Sequence, residues 1–148
     1  NVEDVWLKAL PYLRSIHDPY SIDCNNYSWT KTIDKSKWLN YLKRNYNFPV
    51  NDSEAVTAAC NFKQEIRHKY LIDWVYQIPL KKIREDWRLK STYFSISEKD
   101  NILTFNGKGF GHGVGMSQSG AIDLAKNGWT TKQILSHYYP KTKYGFLP

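Results

Sequence analysis

Cysteine is scarce in this sequence. Cys24 and Cys60 are the only two in 148 residues, too few for the disulfide framework of a small secreted scaffold. One disulfide or two free thiols both fit that count. No apolar run approaches the ~18–20 residues of a transmembrane helix. Any targeting segment would lie before Asn1, where the chain reads as entered mid-sequence. No internal repeat, low-complexity tract or linker interrupts the chain, whose 148 residues are one domain's worth by size. A long Lys/Arg block is also missing, although basic residues outnumber acidic ones by 21 to 14. The net charge of +7 fits a solvated basic face. It equally fits a polyanionic partner: nucleic acid, anionic lipid or an acidic cell-wall polymer. RNP-like, helix-turn-helix and zinc-finger patterns are lacking, so nucleic acid is not expected.

Apolar residues make up 41% of the chain and aromatic ones 16%, enough for a packed core and contrary to disorder. Trp6, Leu7, Leu10 and Leu13 suggest a short helix broken at Pro11. Asp34 is suited to N-cap a helix from Lys35 to about Arg44, with Trp38, Leu39 and Leu42 on one face. Ala55 to Phe62 is compatible with a strand, and Lys69 to Pro79 is the strongest strand in the first half. Leu80, Ile83 and Trp87 mark a short helix. Thr92–Ile96 and Ile102–Phe105 alternate around a polar Glu98–Asn101 turn, predicting a β-hairpin. Ala121, Leu124 and Ala125 define a helix stopped at Gly128. Thr130 caps another, through Ile134, Leu135 and Tyr138 to Pro140. The fold class is α+β, with a helical C-terminal end.

The unusual stretch is Gly107-Lys108-Gly109-Phe110-Gly111-His112-Gly113-Val114-Gly115-Met116-Ser117-Gln118. Five glycines fall within nine residues, with His112 between two of them. Glycine permits positive φ and close approach to the main chain. A loop that feeds a helix start also presents free N–H groups. Such a segment suits anionic or carbonyl oxygens. It matches neither a Walker pattern nor a dinucleotide fingerprint with its acidic partner. From the residues alone, a tight β-arch with a structural His112 remains open beside a binding site.

The stretch from Phe105 through Gly107-Lys108-Gly109-Phe110-Gly111-His112-Gly113-Val114-Gly115-Met116-Ser117-Gln118 to Ala121 resembles the signature of the SpoIID/LytB family. So do Leu124-Ala125-Lys126-Asn127-Gly128-Trp129 and Ile134-Leu135-Ser136-His137-Tyr138-Tyr139-Pro140. Arg84-Glu85 and Leu89-Lys90-Ser91-Thr92-Tyr93-Phe94 are similar to the stretch that precedes the motif. The opening Asn1 to Ser15 is similar to the residues that come after the family's Ser-rich, Gly-Gly turn. The likeness runs end to end, specific in the last ~60 residues and weak from about Asp18 to Lys69, where loops vary.

The resemblance implies peptidoglycan remodelling in sporulation, including engulfment, by an extracytoplasmic, membrane-anchored protein at the cell wall. Family members include lytic transglycosylases acting on peptide-stripped glycan strands. They cleave the MurNAc–GlcNAc bond without water and leave a 1,6-anhydro ring. One carboxylic acid protonates the glycosidic oxygen, and its carboxylate then takes the sugar's own hydroxyl proton. Other members enhance wall amidases, so a non-catalytic glycan-binding module is the alternative. Glycan strands, a cell-wall amidase or endopeptidase and the chain's own upstream segment are the implied partners.

The resemblance makes residues 1–148 the C-terminal portion of a single, incomplete SpoIID-type domain, without the upstream portion that carries the family's catalytic Glu. No catalytic residue is therefore assigned within the chain, and no cofactor. Glu85, beside Arg84, reads as a helical surface residue, and Glu3, Glu54, Glu65 and Glu98 sit in polar contexts. Some relatives carry a Cys/His zinc cluster upstream. Here the spacing of His17, Cys24, Cys60 and His68 matches no zinc template, and no metal site is expected. The expected substrate-binding residues are His112, Gly111, Gly113, Ser117, Gln118, Arg84, Lys90, Tyr138 and Tyr139. His112 and Gln118 offer hydrogen bonds to sugar groups. Ser117 does the same or caps the helix. One of the two tyrosines stacks on a sugar ring and the other belongs to the core. Arg84 and Lys90 meet lactyl carboxylates. His112 is expected at the surface of a groove, and Gly111 or Gly113 at positive φ or against another backbone.

Overall fold

A computed structural model describes residues 12–13, 28–72, 76–110, 115–143 and 145. They fall into two compact units, Ser28–Gly111 and Asn1–Tyr27 with His112–Pro148.

The first unit carries β1 (Ser28–Asp34), α1 (Lys35–Tyr46), α2 (Ser53–Cys60), α3 (Leu80–Asp86), β2 (Phe94–Lys99) and β3 (Ile102–Lys108). The strands form an antiparallel sheet in the order β1-β3-β2. The expected hairpin is present. Lys99 pairs with Ile102, and Asp100 and Asn101 both adopt positive φ, at 52° and 61°. That is the two-residue turn whose twist matches the flanking strands, and Asp and Asn tolerate it. Period-two alternation buries Phe94 and Ile96 on β2, and Leu103 and Phe105 on β3, on one face.

Helix α1 lies over that face. Trp38 and Leu42 are fully buried, and the Trp38 ring meets Phe105 edge-on at 5.3 Å. The Trp38 indole N–H donates to the Ala59 carbonyl at 3.1 Å, tying α1 to α2. Asp34 stands at the N-cap as expected, yet its side chain makes no capping bond and pairs with Lys37 at 2.9 Å. Lys35 reaches both carboxylate oxygens of Glu98 at 2.8 and 2.9 Å, closing the helix onto β2.

Three expectations need correction. Strand β1 was not foreseen, because only Trp29 and Ile33 of its residues are buried and the apolar signal is thin. Ala55–Phe62 is not a strand. Ser53–Cys60 is helical because the Asp52 side chain accepts from the N–H groups of Glu54 and Ala55, and Ala55 and Ala59 face the core one turn apart. Lys69–Pro79 forms no continuous strand. The chain folds back, with Tyr70 bridging Pro79 and the Leu71 N–H donating to the Ile78 carbonyl at 2.8 Å. That reversal buries Leu71, Ile72 and Ile78 together. Helix α3 matches its expected span, with Leu80 and Ile83 buried.

The second unit contains α4 (Gln118–Lys126) and α5 (Thr131–Tyr138). Leu124, Ile134 and Tyr138 form its core. Gly128 ends the α4 turn at φ 84° as expected, and Thr130 with Gln133 builds a full capping box on α5. Ala125 was placed on the apolar face but is exposed, and Gly120 shares the buried face with Leu124 instead. No described helix is long and apolar enough to cross a membrane. The proposed helix at Val5–Ser15 lies outside the described residues, apart from Tyr12 and Leu13.

Candidate glycine-segment site

The glycine segment leaves β3 at Gly107. A Cβ there would stand 2.1 Å from the Trp29 indole, the residue directly across on β1. Gly107 is thus required by packing rather than by backbone conformation. The Trp29 indole N–H donates to Ser91 Oγ at 3.1 Å, and the fully buried Ser91 hydroxyl donates to the Lys108 carbonyl at 2.7 Å. This relay satisfies the buried indole N–H and the buried hydroxyl and ties them to the end of β3. The next glycine, Gly109, has φ 75°, and among the described residues the only atom within 4 Å of its missing Cβ is Arg67 Nη2, at 3.9 Å. Phe110 comes next and is exposed.

Arg67 belongs to a loop without regular structure that is pinned to β2. Gln64 Nε2 donates to the carbonyls of Thr92 and Phe94 at 3.0 and 2.8 Å, and its oxygen accepts from the His68 N–H at 2.9 Å. The Tyr93 hydroxyl donates to the Glu65 carbonyl at 2.9 Å. The guanidinium lies 5.2 Å over the Tyr93 ring and reaches the Thr92 hydroxyl at 3.4 Å. Burial lowers its pKa, and Tyr93 opposes that shift. Sequence reasoning missed Arg67. It carries no motif, and its partners lie more than twenty residues away.

Where the segment meets α4, Gly115 has φ 82°, and a Cβ there would stand 3.3 Å from the Tyr139 hydroxyl. That hydroxyl accepts from the Met116 N–H at 3.2 Å. Ser117 caps α4, its Oγ accepting from the Gly120 N–H at 3.1 Å. Gln118 begins the helix and is exposed. Of the two tyrosines, Tyr138 is core and Tyr139 is half-buried. Tyr139 lines a cleft of about 220 Å³ with Tyr12, Leu135, Ser136, Thr142 and Lys143. Met116, Ser117, Gln118 and Tyr139 are thereby brought together.

In the first unit, Arg84 Nε donates to the Lys90 carbonyl at 3.4 Å, so these two expected residues also adjoin. His112, Gly111 and Gly113 lie outside the described residues, as do Cys24, His17 and Glu3. Cys60 is a free, fully buried thiol, and burial pushes its pKa up to about 11. Among the described residues no three His, Cys, Asp or Glu side chains gather to hold a metal. Glu54, Glu65 and Glu85 are exposed, and Glu98 is engaged by Lys35.

The chain is 32% identical over 145 residues to Stage II sporulation protein D of Bacillus subtilis (strain 168), covering 97% of this chain. It is 30% identical over 139 residues to the protein of the same name from Bacillus amyloliquefaciens, covering 94% of this chain. A segment of 53 residues is 47% identical to the Amidase enhancer of Bacillus subtilis (strain 168), covering 36% of this chain and 8% of that protein. Over nearly its whole length this chain is similar to members of the SpoIID/LytB family. No family model matches it. It spans about two fifths of the length of the sporulation proteins it matches, 40% and 39%. That similarity agrees with the resemblance of the glycine segment and of the α4 and α5 sequences.

Proposed function

We propose that this SpoIID-type chain positions peptide-stripped glycan strands during the wall remodelling of sporulation, within a longer lytic transglycosylase anchored outside the cytoplasm. The observation that carries this reading is the similarity to Stage II sporulation protein D along nearly the whole chain. The geometry supports it with polar and aromatic groups suited to sugars. They are the Gln118 side chain at an exposed helix start, the Tyr139 ring on a cleft, and bare backbone at Gly109 and Gly115.

The chain's own residues bind and orient the strand, and a Glu upstream of the family motif acts as general acid and then base. Such a group contributes about 10²–10⁴-fold and must reach the glycosidic oxygen over hydrogen-bond distance. A general acid works best from a water-excluded pocket, and the exposure of Glu54, Glu65 and Glu85 suits none of them to that role. The Amidase enhancer similarity supports a wall amidase as partner of the longer protein.

The test is to incubate the isolated chain and the longer protein with peptide-stripped glycan and to assay anhydro-MurNAc by mass spectrometry. Product from the longer protein alone is expected. Product from the isolated chain would place the acting carboxylate within residues 1–148, and Glu85 would be mutated first.

A further inference from the structure

We infer that Arg67 is an anion-binding residue at the head of the glycine segment: its guanidinium, held by Thr92 and Tyr93 beside the bare backbone of Gly109, takes a carboxylate carried on a sugar of the glycan strand. The inference rests on glycan being the ligand and adds the residue and the chemical group.

A guanidinium has five N–H donors in a planar fork, and taking it out of water is costly unless they find acceptors. Arg67 is half-buried, yet among the described residues its side chain makes one long hydrogen bond, to Thr92. Among those residues no carboxylate pairs with it; the ion pairs there are Lys35–Glu98, Lys37–Asp34 and Lys82–Asp86. Among the described residues, its charge is left without a carboxylate.

The fork is also held in place. Its loop is fixed by Gln64 and by the Tyr93 hydroxyl, and its face rests on the Tyr93 ring. Little side-chain freedom is left to lose on binding. Among the described residues, a Cβ at Gly109 would meet nothing within 4 Å but Arg67 Nη2, so the guanidinium stands beside that glycine's bare backbone.

The neighbours select among anions. Phe110 and Ile66 are exposed at 68% and 74%, and they flank Gly109 and Arg67 in sequence. A sugar acid presents a carboxylate beside an apolar C–H face, which exposed apolar side chains on these two segments suit. Free phosphate has no such face. The match to carboxylate geometry is a property of Arg that Lys does not share.

The experiment is calorimetric titration of the full chain with two probes at matched ionic strength. One is peptide-stripped glycan with free lactyl carboxyls. The other is the same glycan with those carboxyls converted to neutral methylamides. Wild type is expected to bind the free-carboxyl strand at least about tenfold more tightly. Arg67→Gln is expected to weaken that binding about tenfold to hundredfold and to erase the preference, with Arg67→Lys in between. An unchanged preference in Arg67→Gln, at an unchanged thermal midpoint, overturns the assignment.

Should Arg67→Gln fail to fold, the wild-type Arg67 Nε–H resonance decides. A shift on adding N-acetylmuramic acid but not N-acetylglucosamine supports the inference, and a shift with neither or both refutes it. Inorganic phosphate that displaces the strand as well as N-acetylmuramic acid does would make Arg67 a general oxyanion site and overturn the sugar assignment. Equal binding of the two strands removes only the Arg67 inference. Binding of neither removes the glycan reading itself.

Discussion

The two ends of the glycine segment are secured by different physics. At Gly107 the missing side chain makes room for a buried indole, whose N–H is satisfied by the buried Ser91 hydroxyl. At Gly115 the residue is glycine because φ is 82°, and the next N–H along the chain is held by a tyrosine hydroxyl at the surface. One end is set by a core that tolerates no added volume. The other is set by local backbone preference and a hydrogen bond that water can replace. The same residue type in one motif therefore carries unequal structural weight, and substitutions should reveal it.

The largest effect is expected at the core end. Gly107→Ala places a methyl group 2.1 Å from a rigid ring, and overpacking of this kind costs about 1–3 kcal/mol or more. A denaturation midpoint within ~1 kcal/mol of wild type would break the contrast.

Next comes the buried thiol of Cys60. Its folded pKa is raised to about 11, above the ordinary thiol value, so the folded state keeps a proton that the unfolded chain releases first. That contribution is complete below about pH 9 and is lost as pH rises toward 11. The loss reaches about 3 kcal/mol at most. Cys60→Ala should flatten the decline of stability over that window, and an identical decline in both proteins would contradict the burial argument.

Ser91→Ala leaves the Trp29 indole N–H and the Lys108 carbonyl without their partner and should cost about 1–3 kcal/mol. Thr130→Ala, which breaks the α5 capping box, should cost about 1 kcal/mol. Tyr139→Phe should change global stability by less than about 1 kcal/mol, since its bond to Met116 is exposed. Hydrogen exchange at the Met116 amide should nevertheless accelerate. A Tyr139→Phe cost equal to that of Gly107→Ala would erase the difference between the two ends.

These particulars also show what the sequence made legible. The hairpin, α1, α3, α4 and α5 were readable because their periodicity coincides with caps or turn residues: Asp100-Asn101, Gly128, and Thr130 with Gln133. Helix α2 was hidden because Val56 and Thr57 favour strands, and the deciding signal is one Asp52 cap. The Tyr70–Pro79 reversal was hidden because an apolar run gives no hint of where it turns back. At the site, Ser117 caps α4 and Tyr138 lies in the core, positions the sequence left open beside sugar contact. Arg67 and the Trp29–Gly107 fit could not be read, since each depends on strand register or on a loop that returns from far along the chain.

The central claim is that glycan is held at the glycine segment. Backbone amide shifts of the labelled chain, titrated with peptide-stripped glycan, test it most directly. The account predicts that Gly109 and Phe110, and separately Met116 to Gln118, move on binding while the Asp100–Asn101 hairpin turn does not. Shifts confined to the hairpin turn, with Gly109, Phe110 and Met116 to Gln118 unmoved by saturating glycan, would contradict it.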